Sequence, residues 1–520
     1  MSGREQMMFY NLCQNIIRLV MLVIAVFVAA VNLLYTSSVA YVWTEDVSIA
    51  RTSWVSFAAA AALLALFFAF WKLSGRLKET HVFLFFTVLY LAVGLYWVLH
   101  VGTELRMDAD SAHRAAVALH NHDFSFLAPG EDLYKNQHQL GLVTYEYLLG
   151  FISTDIRFQY FVNLLEIIGI NFASWRLANL CFGGSHGTNL FTILFSFLFL
   201  PQFFFLAFGY GLIPGLFFML FSFLFLYKYF AGHGKRYLVF CLIFLVFAVG
   251  VKGNNIIGAI AIAILLFLRS LKERRVRYLP IALAALLCAG SVSSVTGAVY
   301  ERVSGMELCG GKPMILWIAM GTEPYYENAA GWYNGYCDWA FEEAGRDPQK
   351  ASELALGTLK DTAYTFRDHP DWMLSFFGEK LVSMWCDPLY ESVWSGPLPD
   401  AGAEHKSEFL NELYSGRGIE PGTAVFMKGF MIVMFVLAAL FALRRRNRDL
   451  DYGYICLYFI GGFLLHILWE AKSQYVYPYV FVLLPCCAHE MNMLANRIGS
   501  VYNKKFRTGE NGEGDSSKNR

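Results

Sequence analysis

Charge is what this sequence has least of. Only 16% of its 520 residues are Asp, Glu, Lys or Arg, against roughly 25% in a soluble chain of ordinary composition, and that shortfall excludes a soluble globular class. The 41 basic and 41 acidic residues cancel to a net charge of zero, so no basic surplus exists to meet nucleic-acid phosphates. Ten cysteines include no Cys-x-x-Cys pair, which removes the usual zinc signature, and most lie in apolar runs where a thiol acts as a small hydrophobe. Asn-x-Ser/Thr sequons are absent, favouring a bacterial chain. Internal repeats and low-complexity tracts are missing too. The first apolar run, 14–36, is long enough to span and has no small-residue cleavage site, so no cleavable signal peptide is expected.

What the sequence has in abundance is apolar surface: 57% hydrophobic and 17% aromatic residues. Twelve runs read as candidate membrane spans, at 14–36, 52–71, 82–102, 158–181, 190–207, 210–230, 237–252, 255–269, 279–298, 424–442, 453–469 and 475–494. A further stretch, 138–152, is short and contains Glu146. Basic clusters decide its placement. They lie at Lys72/Arg76/Lys78, at Lys228/Lys235/Arg236, across 269–277, at Arg444/Arg445/Arg446/Arg448, and from Arg497 through Lys504, Lys505 and Arg507. All five can face the cytoplasm only if an even number of spans separates each from the next. Twelve spans satisfy this, so 138–152 is expected to lie on the outer surface as an interfacial helix.

The expected fold is therefore an all-α polytopic membrane protein of about twelve transmembrane helices, with both termini cytoplasmic. Residues 1–79 hold two N-terminal spans, and 80–298 a transmembrane core with a first outer loop at 104–157. Residues 299–423 form a mainly helical outer domain, with helical patterning at 348–363 and 372–385. Residues 424–494 carry the last spans, and 495–520 a disordered cytoplasmic tail. A Cys309–Cys337 disulfide would require the outer segment to meet an oxidising compartment.

Chemistry is best placed where the third span runs into Arg106-Met107-Asp108-Ala109-Asp110. Two carboxylates at the mouth of an apolar helix are partly desolvated, which suits a general base. Residues 111–121 follow as an alanine-rich helix, then Asp123-Phe124 and the stretch Tyr134-Lys135-Asn136-Gln137-His138-Gln139-Leu140-Gly141.

This order of parts resembles the GT-C glycosyltransferases, membrane enzymes that use a polyprenyl-phosphate-linked sugar. It is most similar to a bacterial branch described as dolichyl-phosphate-mannose-protein mannosyltransferase-like. The resemblance covers 80–490 and rests on Asp110 before the alanine-rich helix, Tyr134 with Gln139-Leu140-Gly141, and Lys252 with Asn254. It continues with Met320-Gly321, Gly331-Trp332-Tyr333-Asn334, and Lys380 before Trp385 and Asp387-Pro388. Where such proteins often carry Glu-x-x-x-Arg-Tyr, this chain has Glu470-Ala471-Lys472-Ser473-Gln474-Tyr475, so Lys472 is the substitute for the missing arginine. The proline expected before His138 is Asn136 or Gln137.

The resemblance implies inverting sugar transfer on the outer membrane face, to a hydroxyl of an unidentified glycan, lipid or protein acceptor. Asp110 would be the base and Asp108 a positioning group. Lys252, Lys472 and Lys380 would meet the leaving phosphate, with Tyr134, His138, Gln139, Asn254, Asn334 and Glu470 contributing to substrate binding. For Lys252, snorkelling to ordinary lipid phosphates is an equal alternative. The resemblance fixes no cofactor. A divalent cation stays open, because some GT-C enzymes use one and others do not, although His113, His120 and His122 form no compact ligand set. The abundant phenylalanines, Phe203-Phe204-Phe205 and Phe217-Phe218 among them, read as lipid-facing. Glu166 and Arg176 are ten apart and cannot pair along one helix. The competing reading is a polytopic transporter or lipid flippase, and a third is a non-catalytic assembly protein. The large outer segment and the lack of a repeat weigh against transport.

Overall fold

A computed structural model describes residues 3–325, 328–444 and 452–510, with side chains to residue 500. The first helix, α1 (Gly3–Leu34), stops two residues before its apolar run ends, because Tyr35-Thr36-Ser37-Ser38-Val39 is rich in residues that favour a pleated backbone. That segment is β1 (Tyr35–Val39), paired antiparallel with β2 (Val47–Arg51), Tyr35 opposite Arg51 and Val39 opposite Val47. The ribbon corrects the all-α expectation, and the fold is nearly all-α instead. Helices α2 (Trp54–Ser74) and α3 (Glu79–His100) follow, the former capped by the Ser53 hydroxyl, which accepts from Ser56 N–H.

Short helices come next: α4 (Met107–Leu119), α5 (Asp132–Lys135) and α6 (Leu140–Gly150). The apolar bundle continues with α7 (Ile156–Cys181), α8 (His186–Leu198), α9 (Leu200–Phe204), α10 (Leu212–Phe230), α11 (Arg236–Val251), α12 (Ile256–Glu273) and α13 (Tyr278–Ser304). A more polar region holds α14 (Ile315–Thr322), α15 (Tyr336–Glu343), α16 (Pro348–Asp368), α17 (Pro370–Trp385) and α18 (Glu408–Tyr414). The bundle resumes with α19 (Glu420–Leu443), α20 (Gly453–Leu468), α21 (Ser473–Phe481) and α22 (Leu484–Glu510). Helix α22 thus continues through 495–510, where the sequence reads as a polar tail. Residues 511–520, and Arg445, Arg446 and Arg448 of one basic cluster, lie outside the described residues.

Among the described residues, seven helices are long and apolar enough to cross a membrane, or eight if the pair at 186–198 and 200–207, bent by 49°, is one span. The remaining candidate stretches fall short for identifiable reasons. Helices α11 and α20 have 16 residues each. Helix α7 carries Gln159, Asn163, Glu166, Asn171 and Arg176. The last run is interrupted between α21 and α22.

Pro201 starts α9, where the bend turns Phe203, Phe204 and Phe205 inward. They are buried, not lipid-facing: Phe203 meets Tyr90 and Trp97 at 5.2 Å, and Phe205 meets Tyr477 at 5.0 Å. Glu166 accepts a 2.9 Å hydrogen bond from Tyr145, and Arg176 lies 5.4 Å from the ring of its neighbour Trp175. One end of the bundle gathers basic loops. Arg274 donates to Gly3 O at 3.0 Å, Arg269 to Phe230 O at 3.5 Å, and Trp71 to Asn496 Oδ1 at 3.0 Å.

At the other end α6 packs across α11 and α13. Its 11 residues reach about 16 Å, half a bilayer core. Gly141 permits the approach, since a Cβ there would lie 2.1 Å from Gly250 O. Gly141→Ala is expected to destabilise the protein by about 1–3 kcal/mol, read as a lowered melting temperature in detergent. Gly357→Ala, in open space on α16, should leave stability unchanged or raise it by about 0.5–1 kcal/mol.

Candidate functional site

The end of the bundle opposite those basic loops holds a cavity of about 1370 Å³. Its polar half is built where α11 and α20 finish and α4, α12 and α21 begin, with the turn between β1 and β2 completing the lining. Its other half extends along facing sides of α11 and α13, walled by Val249, Val251, Ala289, Val292 and Thr296. A charged chamber therefore opens onto an apolar cleft between two bundle helices.

Within the chamber, Tyr210 donates to Asp108 Oδ2 at 2.6 Å and accepts from Gln139 Nε2 at 3.2 Å. The Lys252 ammonium lies 3.6 Å from the Tyr210 ring centroid and 5.5 Å from that of Tyr475, so both faces serve its charge. Tyr475 donates to Glu470 at 3.4 Å. The Lys472 ammonium donates to Glu45, whose side chain is only 10% exposed.

The two neighbouring carboxylates of α4 part company. Asp108, Ala112, Ala115 and Leu119 share one face through i, i+4, i+7 and i+11 spacing, and that face turns inward. Asp110 falls on the other face, does not line the cavity, and pairs with Arg114 at 3.0 Å with its side chain 39% exposed. The alanine stripe was the signal that could have told them apart.

Of the other residues singled out from sequence, His138, Gln139, Lys252, Asn254, Glu470 and Lys472 line the cavity with Asp108. Tyr134 and Asn334 do not. Tyr134 lends its carbonyl to Gln137 Nε2 at 3.0 Å, and Asn334 accepts from Tyr336 N–H at 3.0 Å to start α15. Lys380 is fully buried behind the wall, donating to Gly321 O. Burial pushes its ammonium down to about 7, with Glu470 opposing. Gly321 and Gly331 press on the same stretch: Gly331 O accepts from Ala471 N–H at 2.7 Å, and a Cβ on Gly321 would meet Trp469 C at 2.5 Å. These glycine motifs and Lys380 thus fix the backbone that presents Glu470 and Lys472.

Charged residues of the lining that were not anticipated include Glu45, Arg106 and Lys312. Glu45 arrives from the turn between the strands, a segment that hydropathy reads only as a link between spans. Arg106 stacks 4.5 Å from the Trp394 ring and 5.9 Å from that of Trp43 while donating to Trp394 O. Lys312 pairs with Asp338 at 2.6 Å. Burial lifts the Glu470 carboxyl up to about 7 against the opposing Lys472. Burial disfavours the Lys472 ammonium, yet Glu45, Glu470 and Glu391 more than offset this and hold its pKa above the ordinary lysine value.

His113 sits apart, 3.0 Å from Glu146, which also accepts from Gln159 at 3.1 Å. Among the described residues no group of three or more His, Cys, Asp or Glu is placed to hold a metal. Cys309 and Cys337 are both free thiols. Chemically, the chamber can take an anion against two ammonium groups, an apolar chain in the cleft, and a proton on Asp108. No protein-family profile matches the chain, and no curated protein does either.

Asp387 braces this arrangement. It accepts from Leu389 N–H at 2.9 Å, Glu391 N–H at 2.7 Å and Ser473 Oγ at 2.6 Å. Asp387→Ala would strand these buried donors, and a loss of about 3 kcal/mol is expected, measured as a fall in thermal stability in detergent.

Proposed function

We propose that this chain is a membrane glycosyltransferase that moves a sugar from a polyprenyl-phosphate donor to an acceptor hydroxyl at the outer membrane face. The observation that carries the reading is the union, in one cavity, of Asp108, Lys252 and Lys472 with an apolar cleft between α11 and α13. A lipid-linked phosphate needs both halves. Its isoprenoid chain would lie along the cleft and its phosphate between the two lysines.

Asp108 takes the role of base in this reading, because it faces the cavity and Asp110 does not. It accepts the proton of the acceptor hydroxyl as that oxygen bonds to the anomeric carbon. The bond from that carbon to the phosphate oxygen breaks on the opposite side, inverting the centre, and its electron pair leaves with the polyprenyl phosphate. Negative charge grows on the phosphate as the bond opens, so Lys252 and Lys472 stabilise the transition state more than the ground state.

The topology we propose has twelve crossings, with α6 lying on the outer surface and both termini and the basic loops in the cytoplasm. It is supported by the contacts that tie basic loops together at the end far from the cavity. The short α11 and α20, the polar α7 and the broken α21–α22 pair would cross inside the bundle, where neighbours shield their polar groups. A bacterial cell membrane is the setting proposed, with a glycan, lipid or protein as acceptor.

Radiolabelled sugar transfer from polyprenyl-phosphate donors, in membranes with and without the protein, tests the function. Asp108→Asn should abolish transfer in folded protein, whereas Asp110→Asn should retain most of it. Lys252→Met should lower turnover roughly tenfold or more. Equal loss in both aspartate variants would remove the assignment of Asp108. Cysteine labelling tests the topology: exposed positions Glu131→Cys and Thr154→Cys, flanking α6, should react from one side, and Lys235→Cys from the other.

A further inference from the structure

The Lys472 ammonium is already occupied. Its partner Glu45 stands on the turn between β1 and β2, and that turn is held by contacts that do not involve the ion pair. Trp43 N–H donates to Asp400 at 2.8 Å, Trp394 Nε1 to Val42 O at 3.0 Å, and Val47 N–H to Asn328 at 3.2 Å. The turn is thus a fixed arm that carries Glu45, with Asp46 beside it in the cavity lining, to the place that a phosphate needs. Among the described residues, Glu45 Oε2 is buried and has no hydrogen-bond partner, an arrangement that costs free energy and persists through the contact its other oxygen makes.

A second cation stands ready for the same carboxylate. Among the described residues, Arg106 Nε and Nη1 are buried without acceptors, and Glu45 is the described carboxylate that acts most strongly on that guanidinium. Trp43, against which Arg106 lies, is two residues from Glu45 in the same turn. One carboxylate thus stands under the influence of two cations, paired with Lys472 and acting on Arg106.

We propose that Glu45 is an internal competitor for the phosphate site: its carboxylate holds Lys472 in the ligand-free protein and yields it, turning to Arg106, when an isoprenyl phosphate binds. The proposal rests on the glycosyl-transfer reading and assigns a control to it. A sugar-linked isoprenyl phosphodiester carries one negative charge, so beside Lys252 it draws Lys472 away from Glu45 only weakly. The monoester released on transfer carries more, about 1.5 to 2 at neutral pH, and Lys472 becomes its second counter-charge. Glu45 keeps Lys472 from binding the donor too tightly and helps expel the product.

Binding of a long-chain isoprenyl monophosphate to the full-length protein in nanodiscs tests this, with the matching isoprenyl alcohol and inorganic phosphate as separate ligands. Glu45→Gln should tighten isoprenyl phosphate binding about tenfold and leave the alcohol unchanged. Lys472→Met should weaken it, and the double variant should bind no more tightly than Lys472→Met alone, because the two residues act through one contact. Glu45→Asp, which withdraws the charge by one methylene, should tighten binding by a smaller factor and covers a folding defect in the glutamine variant. Inorganic phosphate showing the same tightening would place the effect on the phosphate alone; the isoprenyl chain then adds only affinity. Unchanged or weaker isoprenyl phosphate binding in folded Glu45→Gln and Glu45→Asp overturns the competitor role and leaves the transfer reading standing. Failure of the wild-type protein to bind isoprenyl phosphate overturns both.

Discussion

Charges can be kept at the end of an apolar bundle only if they neutralise one another. A lone buried ion costs several kcal/mol, and the chamber above α12 and α21 answers that constraint residue by residue. Lys472 meets Glu45 and feels Glu470 and Glu391. Lys252 lies on the rings of Tyr210 and Tyr475, whose hydroxyls in turn serve Asp108 and Glu470. Almost everything else about the chamber end follows from keeping this set in register: the glycine contacts under Trp469 and Ala471, the Asp387 brace, and the strand pair that delivers Glu45.

This explains why the segment between α1 and α2 matters. From sequence, the first two helices are expected as an addition to a core that starts at residue 80. The structure gives them a share in the site instead. Ser37 N–H donates to Cys386 O at 3.2 Å and Tyr41 to Glu420 at 2.9 Å, so the ribbon is fastened to the loop after α17 and to the start of α19.

What was legible in the sequence divides along physical lines. Long apolar runs announce helices because hydropathy is local, and the pattern at 348–363 likewise foretells α16, capped by Asp347 and opened by Pro348. Lys252, Lys472, Glu470 and Asp108 could be named because each stands where an apolar run stops. Partnership is not local. Glu45 and Lys472 are separated by 427 positions, and no periodicity in either segment reports the other. Nor did composition disclose that Phe203–Phe205 turn inward, since a bend at Pro201 decides it. The choice between Asp108 and Asp110 lay within reach, in the alanine face of α4.

In the proposed function the chamber and its cleft form one site for a lipid-linked phosphate. Photo-crosslinking with an isoprenyl phosphate bearing a diazirine in its chain, followed by peptide mapping, measures this most directly. Labelled peptides are expected to contain Val249–Val251 of α11 and Ala289–Thr296 of α13, with labelling suppressed by unlabelled isoprenyl phosphate. Crosslinks confined to the basic end of the bundle, or labelling that unlabelled ligand does not suppress, would contradict it.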